Sequence, residues 1–306
     1  MILISSPRFQ EHTTPPGHPE RPERAEVFDQ VAAAWRDRGG RVVEPRPATR
    51  DELLRVHDAA HVDAMAATSG RAVMLDADTF TSPESYEIAL LAAGAAVQAA
   101  DHALDTGETA FALVRPPGHH AERDKAMGFC LFNSVAVAAA AAIARGLMRV
   151  AVVDIDVHHG NGTQWIFYSD PTVLYVSTHQ FPFYPGTGAA DEMGSGRGHG
   201  FTVNLPLAAG ATDTDYAAAY RTVASVLDRY APELLLVSAG FDAHEDDPLA
   251  SMRMTTGGYA AVVKSLADTA VRLGCPLALV TEGGYDLDAL RACLDACTAV
   301  LEKNVI

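Results

Sequence analysis

The chain has 306 residues, 48% of them hydrophobic, and a net charge of −16. This length buries a large core without covalent staples, and the acidic balance argues against a nucleic-acid backbone as partner while suiting cationic substrates. The four cysteines, Cys130, Cys275, Cys293 and Cys297, form no CxxC pair, which speaks against a thiolate zinc site and a disulfide framework.

Met1–Pro7 has no basic region and too short an apolar run for a signal peptide, and no apolar stretch reaches membrane-spanning length. A cytoplasmic protein with no membrane contact is expected. Residues 12–24 carry Pro15, Pro16, Pro19 and Pro22 and predict a stiff loop. A helix is expected over 23–37, stopped at Gly39-Gly40, then an edge strand over 41–47 closed by prolines. Asp51 is expected to cap a helical turn, and a further helix runs from Ala59 to Ala67. Residues 70–82 lack periodicity and predict a loop, followed by an Ala-rich helix over 83–106 ended by Gly107.

Phe111–Val114 is a predicted strand broken by Arg115-Pro-Pro-Gly-His-His120, and 133–145 a helix capped by Asn133 or Ser134. Beyond a strand at 150–153, the pattern predicts a helix at 163–168, a strand over Val173–Ser177 and a long shaped loop over 179–200. Then come strand Phe201–Leu205, helix 213–230, strand Leu234–Ser238, helix 256–273, strand Leu277–Thr281 and helix 286–302. Strands that are continuous apolar runs alternating with helices mean a mostly parallel sheet covered on both faces. No linker or repeat interrupts the pattern, so one α/β domain over 1–306 is expected.

Val150–Gly162 concentrates the chemistry. Asp154, Asp156, His158 and His159 follow a β-branched run and precede Gly-Asn-Gly. Four ionisable groups so close are costly to bury unless they pair or bind a metal. In an extended chain Asp154, Asp156 and His158 share one side. A polar loop of paired acids is the alternative. Three other strand ends are also polar: His119 and His120 after Phe111–Val114, Asp242 after Leu234–Ser238, and Glu282 with Tyr285 after Leu277–Thr281. Ligands of open parallel sheets bind beyond the carboxyl ends of the strands, so these groups should converge.

Asp156, His158 and Asp242 then supply two oxygens and one nitrogen with open positions, the donor set of a catalytic Zn²⁺ site, and one that Fe²⁺ or Co²⁺ also suits. His119 and His120 offer bases, with Asp154 and Asn161 as the partners that set their tautomers. Tyr285 could donate to a developing oxyanion. The set points to metal-assisted hydrolysis of an amide or similar carbonyl.

The chain resembles the histone deacetylase family of the arginase/deacetylase fold over nearly its whole length. The resemblance rests on His18-Pro-Glu-Arg-Pro-Glu-Arg24, Arg115-Pro-Pro-Gly-His-His120, Gly128-Phe-Cys130, Asp154-Ile-Asp-Val-His-His-Gly-Asn-Gly-Thr163, Pro185-Gly-Thr-Gly188, Ser238-Ala-Gly-Phe-Asp242 and Glu282-Gly-Gly-Tyr285, in order. Asn161 and the Glu-Gly-Gly-Tyr form look like the class II and bacterial deacetylase-like amidohydrolase branch. The resemblance implies zinc on Asp156, His158 and Asp242, His120 as general base and acid, His119 with Asp154 as electrostatic helper, and Tyr285 at the oxyanion. Asn161 stands where some relatives have an acid, which makes His120 less basic.

It also implies that Phe129 lines a narrow acyl-lysine channel with Tyr184 a candidate for the opposite wall, and that Asp78 holds the substrate at the rim. A structural K⁺ is implied at Asp154, with carbonyls of Asp156 and His158 and the Ser177 hydroxyl. Arg24 fits either a helix-surface salt bridge or a cavity beneath the metal. His12, His57, His61, His102, His179, His199 and His244 are expected at the surface or in hydrogen-bonded loops. Glu282 is expected to accept backbone hydrogen bonds, Cys130 to be a small buried hydrophobe, and His159 to serve packing or hydrogen bonding.

The implied activity removes acetyl or another short acyl group from a lysine side chain or similar amine. The alternatives are an acetylpolyamine or other small-metabolite amidohydrolase and a non-catalytic acyl-lysine binding module. An arginase-like binuclear manganese enzyme would want more carboxylates at the strand ends. Assembly into a homo-oligomer is left open.

Overall fold

The computed structural model describes residues 1–303, so residues 304–306 of the expected unit lie outside the described residues. Eight strands form one parallel sheet: β1 (Ile2–Ile4), β2 (Arg41–Val43), β5 (Ala110–Ala112), β6 (Val150–Asp154), β7 (Val173–Gln180), β8 (Thr202–Leu207), β9 (Leu234–Ala239) and β10 (Leu277–Thr281). Their order across the sheet is β2-β1-β5-β10-β9-β6-β7-β8. Side chains alternate faces along each strand. Val150 and Val152 of β6 therefore pack into one core with the Ala-rich helices α4 (Ser85–Thr106) and α5 (Ser134–Ala144). Ala151 and Val153 pack into the other, with α1 (Glu23–Asp37), α7 (Asp213–Tyr230), α8 (Thr256–Leu273) and α9 (Leu287–Lys303). The expected parallel sheet with helices on both faces is the observed architecture.

Several local expectations are corrected. The strand β1 was not expected, because Met-Ile-Leu-Ile is cut short by Ser5, Ser6 and Pro7 and carries no period. Pairing with β2 on one side and β5 on the other makes it sheet. Asp51 does not cap α2 (Arg50–Leu53). Thr49 does, in a capping box with Glu52. The expected loop 70–82 contains a short antiparallel pair, β3 (Val73–Met74) with β4 (Phe80–Thr81). Helix α3 (Ala59–Ala66) agrees with its expected span, whereas α6 (Asn161–Phe167) begins two residues early and so carries Asn161 at its first turn. The strand β7 runs on to Gln180 because His179 and Gln180 pair with Pro206 and Leu207 of β8.

The expected hydrogen-bonded loop setting holds for His12 and His57, whereas His61 lies in α3 and His179 in β7. His12, His57, His61 and His179 are buried, each with a hydrogen-bond partner. Arg24 is no surface salt bridge: it is fully buried with Arg115 and Glu20. Arg115 grips Glu20 through two 2.8 Å bonds, and Arg24 Nη1 adds a third at 3.0 Å. Arg24 also donates to the carbonyls of Glu282 and Gly284, at 2.5 and 2.7 Å, and thereby ties α1 to the loop after β10.

Burial disfavours the Glu20 charge, but Arg115 and His12 outweigh it and hold the carboxyl well below its ordinary range. A depressed carboxyl stabilises the fold fully above the unfolded glutamate range and loses that contribution as pH falls below it. Glu20→Ala leaves two guanidinium groups buried without their carboxylate and is expected to cost about 3–5 kcal/mol. Urea unfolding at neutral pH checks this. The deficit relative to wild type should shrink in acid.

Candidate active site and metal centre

Strands β5, β10, β9 and β6 are neighbours, so the polar groups after each meet at one sheet edge. Asp156 and His158 follow β6, and Asp242 follows β9. One donor atom from each lies within 4.8 Å of the others, and all three residues are buried. His158 Nδ1 stands 3.1 Å from Asp156 Oδ1 and 3.0 Å from Asp242 Oδ2. Burial lowers an imidazole, but the two carboxylates raise His158 to about 10, and burial beside Asp156 raises Asp242 to about 7. Two buried carboxylates around one imidazole call for positive charge at their centre, which a divalent cation would supply. The backbone is shaped for the carboxylates. A Cβ on Gly283 would lie 2.1 Å from Asp242 Oδ2, and one on Gly240 would lie 2.0 Å from Asp156 Oδ2. The Gly283 N–H donates to Asp156 Oδ2 at 2.8 Å, and the Val157 N–H to Asp242 Oδ1 at 2.9 Å. These bonds aim the remaining oxygens inward.

His119 and His120 stand side by side, ring centroids 4.0 Å apart, in different environments. His119 Nδ1 pairs with Asp154 Oδ2 at 3.0 Å. Burial lowers it, but Asp154, Asp156 and Glu282 outweigh burial and hold it well above its ordinary value. His120 is pushed well below, by burial and then by the charge of His119 and His158. Its Nδ1 lies 2.8 Å from Asn161 Oδ1, while Asn161 Nδ2 donates to Glu122 Oε1 at 2.6 Å. Glu122 thus fixes the amide orientation, Asn161 Oδ1 accepts from His120 Nδ1–H, and His120 Nε2 keeps its lone pair. Asn161 is the partner expected, and Glu122 behind it was not foreseen. No spacing signal links residues 122 and 161.

Glu282 is no metal ligand in this arrangement. Its carboxylate accepts from the N–H groups of Gly118 and His119, at 2.6 and 3.1 Å, and from Ser238 Oγ at 2.9 Å, so it sets the loop that carries both histidines. Burial raises it to about 7. Tyr285 is buried, its N–H donates to Asp247 Oδ2 at 2.7 Å, and Arg24 lies 5.1 Å over its ring. Burial and the nearby Asp242 push its phenol well above the ordinary value, so it stays a donor. Asp247 escapes sequence reading because nothing distinguishes it from its neighbours Glu245 and Asp246.

A cavity of about 190 Å³ leads to these groups, lined by Asp78, His120, Gly128, Phe129, His158, Phe183, Tyr184, Leu249 and Tyr285. All three residues expected to touch substrate therefore line one pocket. Phe129 has φ +69°, a left-handed conformation costly for a bulky residue. Its ring packs edge-on against His18 at 4.7 Å and Tyr285 at 5.8 Å. Tyr184 stands edge-on to His120 at 5.2 Å, and Phe183 stacks on His158 at 5.5 Å. Phe183 was missed although it adjoins Tyr184, since an aromatic in a loop has no period to show which way it points. Asp78 sits at the mouth, where its backbone carbonyl faces His18 Nε2 at 2.9 Å.

The remaining expected site residues are buried nearby. Asp154 also accepts from the Tyr175 hydroxyl at 3.2 Å. Ser177 is the register partner of Asp154 and bonds His179 Nδ1 at 2.8 Å. Cys130 is fully buried with its thiol toward Gly128 O, and His159 points to Thr187 and Gln164.

Among the described residues no helix is long and apolar enough to cross a membrane. The histone deacetylase domain model matches residues 18–301. A probable deacetylase of Archaeoglobus fulgidus is 38% identical over 94% of this chain and 81% of its own length. The histone deacetylase-like amidohydrolase of Pseudomonas aeruginosa is 45% identical over 78% of this chain and 64% of its own. The solved structure of the HDA15 HD domain superposes with a TM-score of 0.93 at 40% identity, covering 98% of this chain and 88% of that one. With the sheet, the order of its polar strand ends and these matches in agreement, the chain belongs to the histone deacetylase family.

Proposed function

We propose that this chain hydrolyses an acylated amine, releasing acetate or another short carboxylate from a lysine side chain or a similar amine. The observation that carries the reading is one pocket lined by His158 of the buried Asp–His–Asp cluster, by a neutral histidine with a free Nε2 and by a protonated tyrosine. Asp156, His158 and Asp242 would hold a divalent ion, Zn²⁺ or, from the same donors, Fe²⁺ or Co²⁺. That ion supplies Lewis acidity toward the amide carbonyl and the attacking water.

The chain's own residues do the rest. His120 Nε2 takes a proton from the water as the C–O bond forms, and returns it to the amine nitrogen as the C–N bond breaks. Tyr285 donates its phenol hydrogen to the carbonyl oxygen as negative charge grows there. His119, held cationic by Asp154, adds positive charge beside the reacting centre. Phe129, Phe183 and Tyr184 exclude water from the acyl stem, and Asp78 accepts a hydrogen bond from substrate at the mouth. A K⁺ belongs to the same reading, held by Asp154, the carbonyls of Asp156 and His158, and Ser177. His179 Nε2 donates to Gly188 O at 2.8 Å, so its Nδ1 accepts the Ser177 hydroxyl hydrogen and leaves that oxygen free to ligate.

An acetylated polyamine is the second reading, favoured by the carboxylates Asp76, Asp78 and Glu122, whose charges reach the Tyr184 hydroxyl. Acyl-lysine peptides and acetylated polyamines, assayed on zinc-loaded protein, separate the two by kcat/KM. Release of acetate from neither class overturns the hydrolytic reading and leaves a binding module.

A further inference from the structure

The Pro185-Gly-Thr-Gly188 stretch and His159 take no part in the chemistry above, yet they meet in one buried polar cluster. His159 and Gln164 are fully buried, as is His179, and Asn204 nearly so. Gln164 Nε2 donates to Glu192 Oε2 at 2.5 Å, so Gln164 Oε1 is the acceptor for Asn204 Nδ2 at 2.8 Å and for His159 Nε2 at 3.0 Å. His159 Nδ1 then accepts from the Thr187 hydroxyl at 2.8 Å. Glu192 closes the ring by accepting from the N–H groups of Gly188 at 3.1 Å and Ala189 at 3.4 Å. Gly188 seats directly on both imidazoles. A Cβ there would lie 2.4 Å from His179 Nε2 and 2.6 Å from His159 Cγ, at a φ of +92°.

This cluster borders the segment that carries Phe183 and Tyr184. Upstream, the Phe181 N–H is anchored on Leu207 O at 2.9 Å, and the Gln180 N–H on Val157 O at 2.9 Å. Downstream, the anchor is Gly188 with Thr187, held by Glu192, His179 and His159. The two pocket aromatics hang between a backbone anchor of the sheet and a side-chain anchor built on Glu192.

We propose that Glu192 and Thr187, acting through Gln164 and His159, are positioning residues that set the Phe183–Tyr184 wall and with it the acyl-chain selectivity of the pocket. The proposal rests on the reading of this pocket as an acyl-amine site. Neither residue touches the reacting atoms. Losing them loosens the wall while leaving the base, the tyrosine and the metal donors in place.

The test compares zinc-loaded wild type, Glu192→Ala, Thr187→Val and Thr187→Ser on lysine peptides bearing acetyl, butyryl and octanoyl groups. In Glu192→Ala and Thr187→Val, KM for the acetyl peptide should rise about tenfold, the scale of one lost hydrogen bond, with kcat changing far less. The preference among acyl lengths should flatten by a similar factor, and zinc content should stay that of wild type. Thr187→Ser keeps the hydroxyl for His159 and should restore the wild-type profile. If Glu192→Ala does not fold, the Thr187 pair carries the test. An equal fall in kcat/KM for every acyl length, loss of zinc, or an unchanged KM and selectivity in Thr187→Val each overturns the proposal. If wild type cleaves none of the peptides, the acyl-lysine reading has failed instead. Calorimetric binding of unbranched hydroxamates of increasing length then reads the wall without turnover, and identical length dependence in wild type and Thr187→Val overturns it.

Discussion

Asp242→Ala is expected to remove the divalent ion and amide hydrolysis together. Asp242 is fully buried, supplies one of three donors, and receives the Val157 N–H on its other oxygen. The alanine variant leaves one carboxylate and one imidazole, with a gap that Gly240 and Gly283 cannot fill. Losing a supporting partner of a ligand already costs about 10–100-fold in metal affinity, so losing the ligand itself should exceed that. His158→Ala should behave alike, leaving Asp156 and Asp242 facing each other without the imidazole between them. Elemental analysis after dialysis reads the ion content, and acetate release reads the activity. Wild-type ion content in either variant would place the metal elsewhere.

Tyr285→Phe is expected to keep the ion and lower kcat by about 10²–10³, the usual cost of one oxyanion donor. Phenylalanine retains the edge-on contact with Phe129 and the face under Arg24, and the backbone bond to Asp247 does not involve the side chain. Only the hydroxyl is lost. Because burial holds the phenol well above its ordinary value, it is protonated throughout the neutral range and no pH change should mimic the substitution. A rise in KM with full kcat would make Tyr285 a substrate-binding group, and full activity would remove it from the oxyanion role.

The strand-end constellation was legible because each group follows a continuous apolar run, and the sheet rule sends all such ends to one edge. Asp154, Asp156 and His158 are three alternate residues of one extended chain, so their shared side follows from period two alone. Helices α7 and α8 have the spans expected, and the structure places Thr212 and Thr255 as their caps. The loop residues fared differently. Phe183, Leu249 and Asp247 line or brace the pocket, yet each lies in a stretch where no period ties side-chain direction to position. The first strand failed for a related reason: three residues are too few to carry a pattern, and their neighbours in the sheet are distant in sequence.

By itself, the sequence determined the kinds of donor available, their place after parallel strands, and hence a cluster that could hold a metal at one end of a covered sheet. Donor chemistry and strand period are local properties. Only the tertiary structure decided what surrounds each donor. Glu122 turns the Asn161 amide so that His120 keeps a free Nε2. Asp154, Asp156 and Glu282 outweigh burial and hold His119 charged, while its neighbour, 4.0 Å away, is pushed the other way. Arg24 goes beneath Tyr285 and not to the surface. Charge states and hydrogen-bond directions depend on every group within a few ångströms, and those groups come from segments far apart along the chain.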